Sequence, residues 1–434
     1  MPRPLVEQKV IQEAVKEIET LVVDGMDISG HWNRMFGQRV IFDYDYDNLM
    51  KVADLPGGES LNWCYGCAKC TAVCPVDIVG DYSPRKIHRK TQMGIDLFNS
   101  DDLWLCTTCM NCLRVCPKEV NMIEIMPAVR EQAVLNGGVP AELQKAFEDT
   151  AKTGNPLGQP QRKRAAWTDK AGVEVPIIAD LGCPVDVLWY VGSYPSYHPR
   201  GMDAAGAMAR ILTALGVDFA ILGKEEKDDA DSMRLAGEKG LFEMLAEQNI
   251  AAFNKYEWNT MVVTGPHEFN AFKNEYPKYG FERPILHYTQ FLVKYLDQLK
   301  ALMKHEVSAH SSARVTFHDP CYLGRHNGEY DAPRELLRAI PGVELVEMGR
   351  NRENGYCCGG GGGGMWLDSF TKNHTQMRLS ERRVLEAVEY QAEILSVCCP
   401  FEVSRFEDGA KSTGNDQLKV LDILELIDKA INEQ

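Results

Sequence analysis

No apolar run in the sequence approaches the roughly 20 residues a membrane-spanning helix needs. The N-terminus, Met1-Pro2-Arg3-Pro4-Leu5, lacks both an apolar signal core and a twin-arginine pair, so a cytoplasmic protein is expected. Basic residues are the minority: 47 Lys and Arg face 62 Asp and Glu, a formal charge of −15. That balance argues against a nucleic-acid partner, whose phosphates need a basic surface. No P-loop, flavin or nicotinamide fingerprint stands out. The glycines from Gly359 to Gly364 follow a cysteine pair instead of leading into a helix with dinucleotide spacing.

Cysteine is what the sequence has in excess. Of 14, eight lie between Cys64 and Cys116, and five more are Cys321, Cys357, Cys358, Cys398 and Cys399. Clustered cysteines without a secretion signal read as metal ligands rather than disulfides. The first run is Cys64, Cys67, Cys70 and Cys74-Pro75; the second repeats its spacing as Cys106, Cys109, Cys112 and Cys116-Pro117. Three thiolates so closely spaced wrap one face of a [4Fe–4S] cubane, and the fourth, before proline, crosses to the other cluster. The expected sets are therefore Cys64, Cys67, Cys70 and Cys116, and Cys106, Cys109, Cys112 and Cys74. Zinc would need tetrahedral sites built from cysteine pairs, without the third cysteine that each run has.

At 434 residues the chain should hold several structural units. Apolar residues at helical spacing from Val6 to Val22 predict an amphipathic helix in an extension covering residues 1–60. A dicluster domain follows over 61–153, including a helix from Met122 to Leu135 that Gly137-Gly138 stops. Residues 154–184 read as a linker, with Arg162 to Arg164 as solvated surface and Cys183 as a buried structural thiol. Short apolar strands then alternate with helices, the pattern of parallel α/β units. Strands are predicted at Val187–Val191, Phe219–Leu222, Met261–Thr264 and Val315–Phe317, and helices at Ala204–Leu215, Gly240–Phe253 and Thr289–Met303.

This half of the chain is duplicated. Gly216 to Gly223 matches Gly342 to Gly349, Ser193-Tyr194 matches Cys321-Tyr322, and Gly265 to Glu268 matches Cys399 to Glu402. The copy over 185–310 has no cysteine at the places where the copy over 311–434 has them. Adjacent Cys357 and Cys358 cannot pair without a strained ring, but could bind two irons of one cluster. The glycines behind them allow backbone N–H groups to approach sulfur.

With these motifs the chain, from Asn62 onward, resembles the Cys–Cys–Gly (CCG) family: iron–sulfur subunits of membrane-bound heterodisulfide reductases and of sulfate reducers' redox complexes. The likeness extends to Trp104 to Cys109, Tyr197 to Arg200, Pro266-His267, Lys273 to Pro277, His318 to Arg325 and Ala332 to Glu335. The resemblance implies a third cluster on Cys321, Cys357, Cys358 and Cys399, either cubane or the noncubane type that cleaves disulfides. Where the family has its last cysteine this chain has Glu402, so Cys398 or Glu402 is a candidate fifth ligand. His318 is a weak candidate for a proton donor. The resemblance also implies other redox subunits, among them a membrane subunit, a b-type cytochrome exchanging electrons with quinone. The chain would then lie peripherally on the inner face of the cell membrane.

The expected fold is thus α+β and multidomain: a helical two-cluster ferredoxin-like domain followed by a duplicated α/β CCG domain. The expected function is electron transfer between a quinone-linked partner and a third cluster or a thiol/disulfide substrate. The rival is the iron–sulfur subunit of a flavin-dependent oxidase of a 2-hydroxy acid such as lactate or glycolate.

Overall fold

In the second half of the chain the strands are nearly continuous apolar runs, which only a sheet covered on both faces accommodates. The computed structural model describes residues 22–23, 26–27, 46–307 and 312–432. The predicted helix from Val6 to Val22 falls almost wholly outside the described residues; Val22–Val23 pairs with Met26–Asp27 in a two-residue antiparallel ladder.

Two four-stranded sheets, parallel throughout, follow one another. The first comprises β1 (Val185–Tyr190), β2 (Phe219–Ile221), β3 (Trp258–Val263) and β4 (Ile285–His287), in the order β2-β1-β3-β4. The second comprises β5 (Ala313–Phe317), β6 (Val343–Leu345), β7 (Ile394–Val397) and β8 (Lys419–Asp422), in the order β6-β5-β7-β8. Val187 pairs with Phe219 and Thr260 in the first, and Val315 with Leu345 and Ile394 in the second. Each sheet therefore starts at an inner strand, steps to one edge, then crosses back to the other side.

Helices cover the sheets. Pro199–Ala214 starts earlier than its apolar pattern suggests because Pro199 suits a first helical turn, and Lys239–Phe253 falls close to its predicted span. The predicted helix over Thr289–Met303 is two pieces, Tyr288–Val293 and Leu296–Leu302. Tyr295 leaves helical dihedrals between them and packs its ring 5.2 Å from that of Phe291.

Residues 46–153 are helical. Pro84–Gln92 begins at Ser83, whose hydroxyl accepts the Lys86 N–H. Met122–Leu135 ends as its glycines require: Gly137 has φ +75°, and Gly138 N–H reaches back to the Ala133 carbonyl. One contiguous apolar core runs from this region through both sheets.

Two expectations for residues 154–184 are corrected. Arg162 and Lys163 are exposed, but Arg164 is buried because Glu226 provides a buried counter-charge 2.7 Å away. Cys183 is exposed, not buried: it follows a turn at Gly182 (φ +65°), ahead of β1. Trp167 anchors the segment instead, edge-on to Trp189 at 5.4 Å.

Candidate metal centre

In each ferredoxin run the first two cysteines lie on a loop and the third, Cys70 or Cys112, in the one-turn helix it enters, Lys69–Ala72 or Asn111–Arg114. Ala68 and Met110 turn the chain into it with φ near +70°. Cys64, Cys67, Cys70 and Cys116 line one pocket of about 340 Å³, and Cys74, Cys106, Cys109 and Cys112 line another of about 380 Å³. The fourth cysteine of each run thus faces the other run's loop.

Both pockets carry buried polar atoms without a partner. Neither ring nitrogen of His88 is hydrogen-bonded in the wall of the first, nor is the Tyr82 hydroxyl in the second. Burial pushes the Cys74 thiol up to about 12, so a bare thiol there is uncharged until a metal holds it as thiolate. All-sulfur pockets with spare donors fit iron–sulfur clusters. Cys67 is exposed, whereas Cys74 and Cys109 are buried, so the first pocket is the more open to solvent.

Five of the six remaining cysteines, all but Cys183, gather at the carboxyl ends of β5, β6 and β7. In a sheet of this order, that crevice is where neighbouring connections diverge and a ligand fits. The neighbouring thiols of Cys109, Cys321 and Cys358 hold the Cys357 sulfur well below the usual thiol range. Gly359 and Gly360 add their N–H groups, to Cys357 Sγ at 3.3 Å and to Cys358 Sγ at 3.4 Å. The second ferredoxin pocket and this crevice are therefore neighbours on the side of Cys109 and Cys357.

The glycine run has a steric cause. A Cβ on Gly361 would stand 2.5 Å from the Thr107 carbonyl oxygen, and one on Gly362 2.4 Å from that of Cys106. Bare backbone is what lets the loop press against the ferredoxin cysteines. Buried guanidinium groups secure the junction. Arg130 donates to the carbonyls of Leu103, Cys106, Leu235 and Gly362, Arg325 to that of Cys109, and Arg405 to that of Cys358.

Cys398 and Cys399 are both buried at the end of β7, and burial raises both thiols. For each, the charge that weighs most is Glu402. Glu402 itself faces His318 and Cys358, and one ligand atom from each of these three lies within 4.8 Å of the others. His318 Nδ1 accepts the Arg383 Nε–H at 3.1 Å, and His318 Nε2 stands 3.3 Å from Glu402 Oε1. Burial, aided by Arg383, keeps this imidazole neutral.

The matching crevice of the first sheet is filled by charge. Arg164 donates to Glu226 and to Ser193, the residue aligned with Cys321. Glu226 in turn accepts the N–H groups of Val191 and Gly192. Asp231 accepts from Arg234 and from His267 Nδ1. His267 stacks on Tyr322 at 4.0 Å, and Tyr322 stacks on His326 at 4.1 Å, so the two crevices meet through aromatic rings.

Several of these residues carry no sequence signal. His88 and Tyr82 fall in no motif, and Arg130 and Arg383 lie in ordinary helical segments; only a partnerless or all-carbonyl environment singles them out.

Comparison with known proteins agrees with this geometry. Residues 60–120 match the 4Fe-4S dicluster domain and residues 315–401 the cysteine-rich CCG domain. The chain is 38% identical over 357 residues to the probable iron-sulfur-binding oxidoreductase FadF of Bacillus subtilis, covering 81% of this chain and 48% of that protein. It is 35% identical over 343 residues to the EtfAB:quinone oxidoreductase of Syntrophomonas wolfei, covering 77% and 47%. It thus spans about half the length of these two relatives. A third relative is a component of the dihydromethanophenazine:CoB–CoM heterodisulfide reductase of Methanosarcina barkeri. To that protein the chain is 33% identical over 338 residues, covering 76% of this chain and 78% of that one. The chain belongs to the family of CCG-domain iron–sulfur oxidoreductases that includes this heterodisulfide reductase component.

Proposed function

We propose that this family member is an electron-carrying subunit, moving electrons between a redox partner beside the exposed Cys67 and a buried third site in the second α/β sheet. The observation that carries this reading is the seam between the second ferredoxin pocket and the third site, where the backbone of Gly361 and Gly362 lies against the carbonyls of Thr107 and Cys106 and Arg130 bonds both loops. Iron–sulfur clusters supply one-electron transfer. Cys64, Cys67, Cys70 and Cys116 hold the outer one, Cys106, Cys109, Cys112 and Cys74 the middle one, and Cys321, Cys357, Cys358 and Cys399 the inner one. In this reading residues 61–153 form the dicluster domain, 185–310 a repeat without a cluster and 311–434 the cluster-binding repeat.

The residues around the sites serve transfer by holding still. Arg130, Arg325 and Arg405 tie the cysteine loops together through their carbonyls, and the glycine N–H groups favour charge on sulfur. Names of relatives suggest the two ends: a quinone for the EtfAB:quinone oxidoreductase, a disulfide for the heterodisulfide reductase. For this chain we assign a quinone-linked membrane partner, a b-type cytochrome, and a thiol or disulfide at the inner end, with the chain peripheral on the inner face of the membrane. Among the described residues no helix is long and apolar enough to cross a membrane. In this reading it is the partner that reaches quinone in the bilayer.

Anaerobic iron and sulfide analysis tests the three-site reading: about twelve irons per chain are expected, and a reproducible value near eight removes the third cluster. Replacing Cys74 by serine should disturb the spectrum of the set containing Cys106, Cys109 and Cys112. Disturbance of the set beside it in sequence would reverse the assignment.

A further inference from the structure

Glu402 occupies the position where the family pattern has a thiolate, and its surroundings are those of a ligand rather than of a structural carboxylate. It opens the helix Glu402–Ser412 and is 1% exposed. A carboxylate so buried needs partners for both oxygens. Oε1 has His318 Nε2 at 3.3 Å, while Oε2 has no hydrogen-bond partner. The ligand atom of Cys358 lies within 4.8 Å of those of Glu402 and His318. The sulfur of Cys358 and the carboxylate of Glu402, one oxygen of which has no partner, therefore lie close together.

His318 is not the ligand in this group. Its Nδ1 lone pair is taken by the Arg383 N–H, so in the neutral ring the proton is on Nε2. A nitrogen bearing a proton has no lone pair for iron and acts as a donor. Nε2 stands 3.3 Å from Glu402 Oε1 with no hydrogen bond closed between them, so Arg383 fixes the ring beside the carboxylate while Oε2 has no partner. Cys398, the other candidate, is fully buried, and no atom of it belongs to the group that Glu402, His318 and Cys358 form.

Glu268, aligned with Glu402 in the first sheet, shows the alternative. Its Oε1 and Oε2 lie against the backbone of Gly192 and Gly265, where a Cβ would come within 2.7 Å and 1.9 Å of them. Both of its oxygens are taken up against glycine backbone in the first crevice. Glutamate at this position is thus not a feature with one role in both halves.

The geometry points to the Glu402 carboxylate as an oxygen ligand that the third cluster would take on the side of Cys358, with His318 as its positioning residue. This rests on the three-site reading above. Carboxylate is harder than thiolate and binds iron in a sulfur-rich cluster less tightly. The iron it holds is the one most readily given up to an incoming soft donor, such as the sulfur of a thiol.

Mössbauer spectroscopy of the intact protein, with Glu402→Gln, Glu402→Ala, Glu402→Cys and Cys398→Ser beside it, tests this. In the wild type one iron subsite should have parameters distinct from all-sulfur coordination. Glu402→Ala and Glu402→Gln should lose about one iron of about twelve, with a three-iron EPR signal in the oxidised protein, and Glu402→Cys should restore the full content. Cys398→Ser should change nothing. A wild-type content near eight irons overturns the third cluster and this ligand together. A content near twelve, with uniform sulfur-type subsites and no response to Glu402→Gln or Glu402→Ala, keeps the cluster and overturns the ligand. Because the wild-type subsite is read directly, a variant that fails to fold leaves the inference open to refutation.

Discussion

The two α/β halves share one strand order, yet their crevices are furnished in opposite ways. In the first, Arg164 pairs with Glu226 and Arg234 with Asp231, whose second oxygen meets His267 Nδ1, so the space is closed by paired charge. In the second, the same space gathers Cys321, Cys357 and Cys358 around unpaired atoms of His318 and Glu402. The lesson is that the sheet order provides a crevice at the strand ends and nothing more. A half that keeps thiols leaves donors waiting for a metal, whereas a half that lost them had to supply counter-charges, since an unpaired buried charge is too costly to leave.

The largest expected effect breaks the second crevice. Cys357 is the sulfur on which Cys109, Cys321 and Cys358 converge, so Cys357→Ser should cost the third cluster, lowering iron from about twelve to about eight per chain. Ser193→Ala, at the place in the first half aligned with Cys321, should leave the iron content as it is. Iron analysis of both variants makes the comparison quantitative, and loss of iron from the Ser193 variant would show that the halves are not so different.

Next in size is the ion pair of the first crevice. Arg164 and Glu226 are both almost fully buried, 2.7 Å apart. Arg164→Met leaves the Glu226 charge with only two backbone N–H groups, and breaking such a pair costs about 3–5 kcal/mol. Denaturant titration of the anaerobic protein should show that loss with iron content unchanged in the folded fraction. A double variant, Arg164→Met with Glu226→Gln, should regain a large part of it.

That pair also shows where reading the sequence stops. The two ferredoxin runs, the Cys–Cys–Gly loop and the alternation of strands and helices are local patterns, in which spacing along the chain dictates geometry. The helix Met122–Leu135 could be bounded from its apolar spacing and its glycine stop. Arg164 could not be placed, because a basic run is ordinarily solvated and its partner is 62 residues away in sequence. His88, Tyr82, Arg130 and Arg383 are obscure for the same reason: what marks them is what surrounds them in space. Cys183 misleads in the other direction, since a lone cysteine beside a strand is usually buried, and here a glycine turn carries it outward.

The smallest expected effect separates the two aligned glutamates by pH. Burial, reinforced by the charges of Asp228, Asp231 and Glu226, pushes Glu268 up to about 8, against about 4.5 for an exposed glutamate. Between those values the folded protein keeps a proton that the unfolded chain has released. Stability must therefore fall as pH rises through that window, by at most about 1.4 kcal/mol per pH unit for one proton. Asp422 at the end of β8, pushed up to about 7 by burial, contributes a slope of the same sign, so the wild-type curve alone does not isolate Glu268. The carboxyls of Asp228, Asp229, Glu402 and Glu425 are raised by burial as well, so Glu268→Gln removes one titration among several and keeps the shape of the side chain. Its stability should fall less steeply than that of the wild type from about pH 5 to pH 8, by up to about 1.4 kcal/mol per pH unit, and its iron content should not change. Glu402→Gln, by contrast, should register in the iron. Equal iron loss in both variants would mean that the two carboxylates do the same work, and the opposition between the crevices would then rest on the cysteines alone.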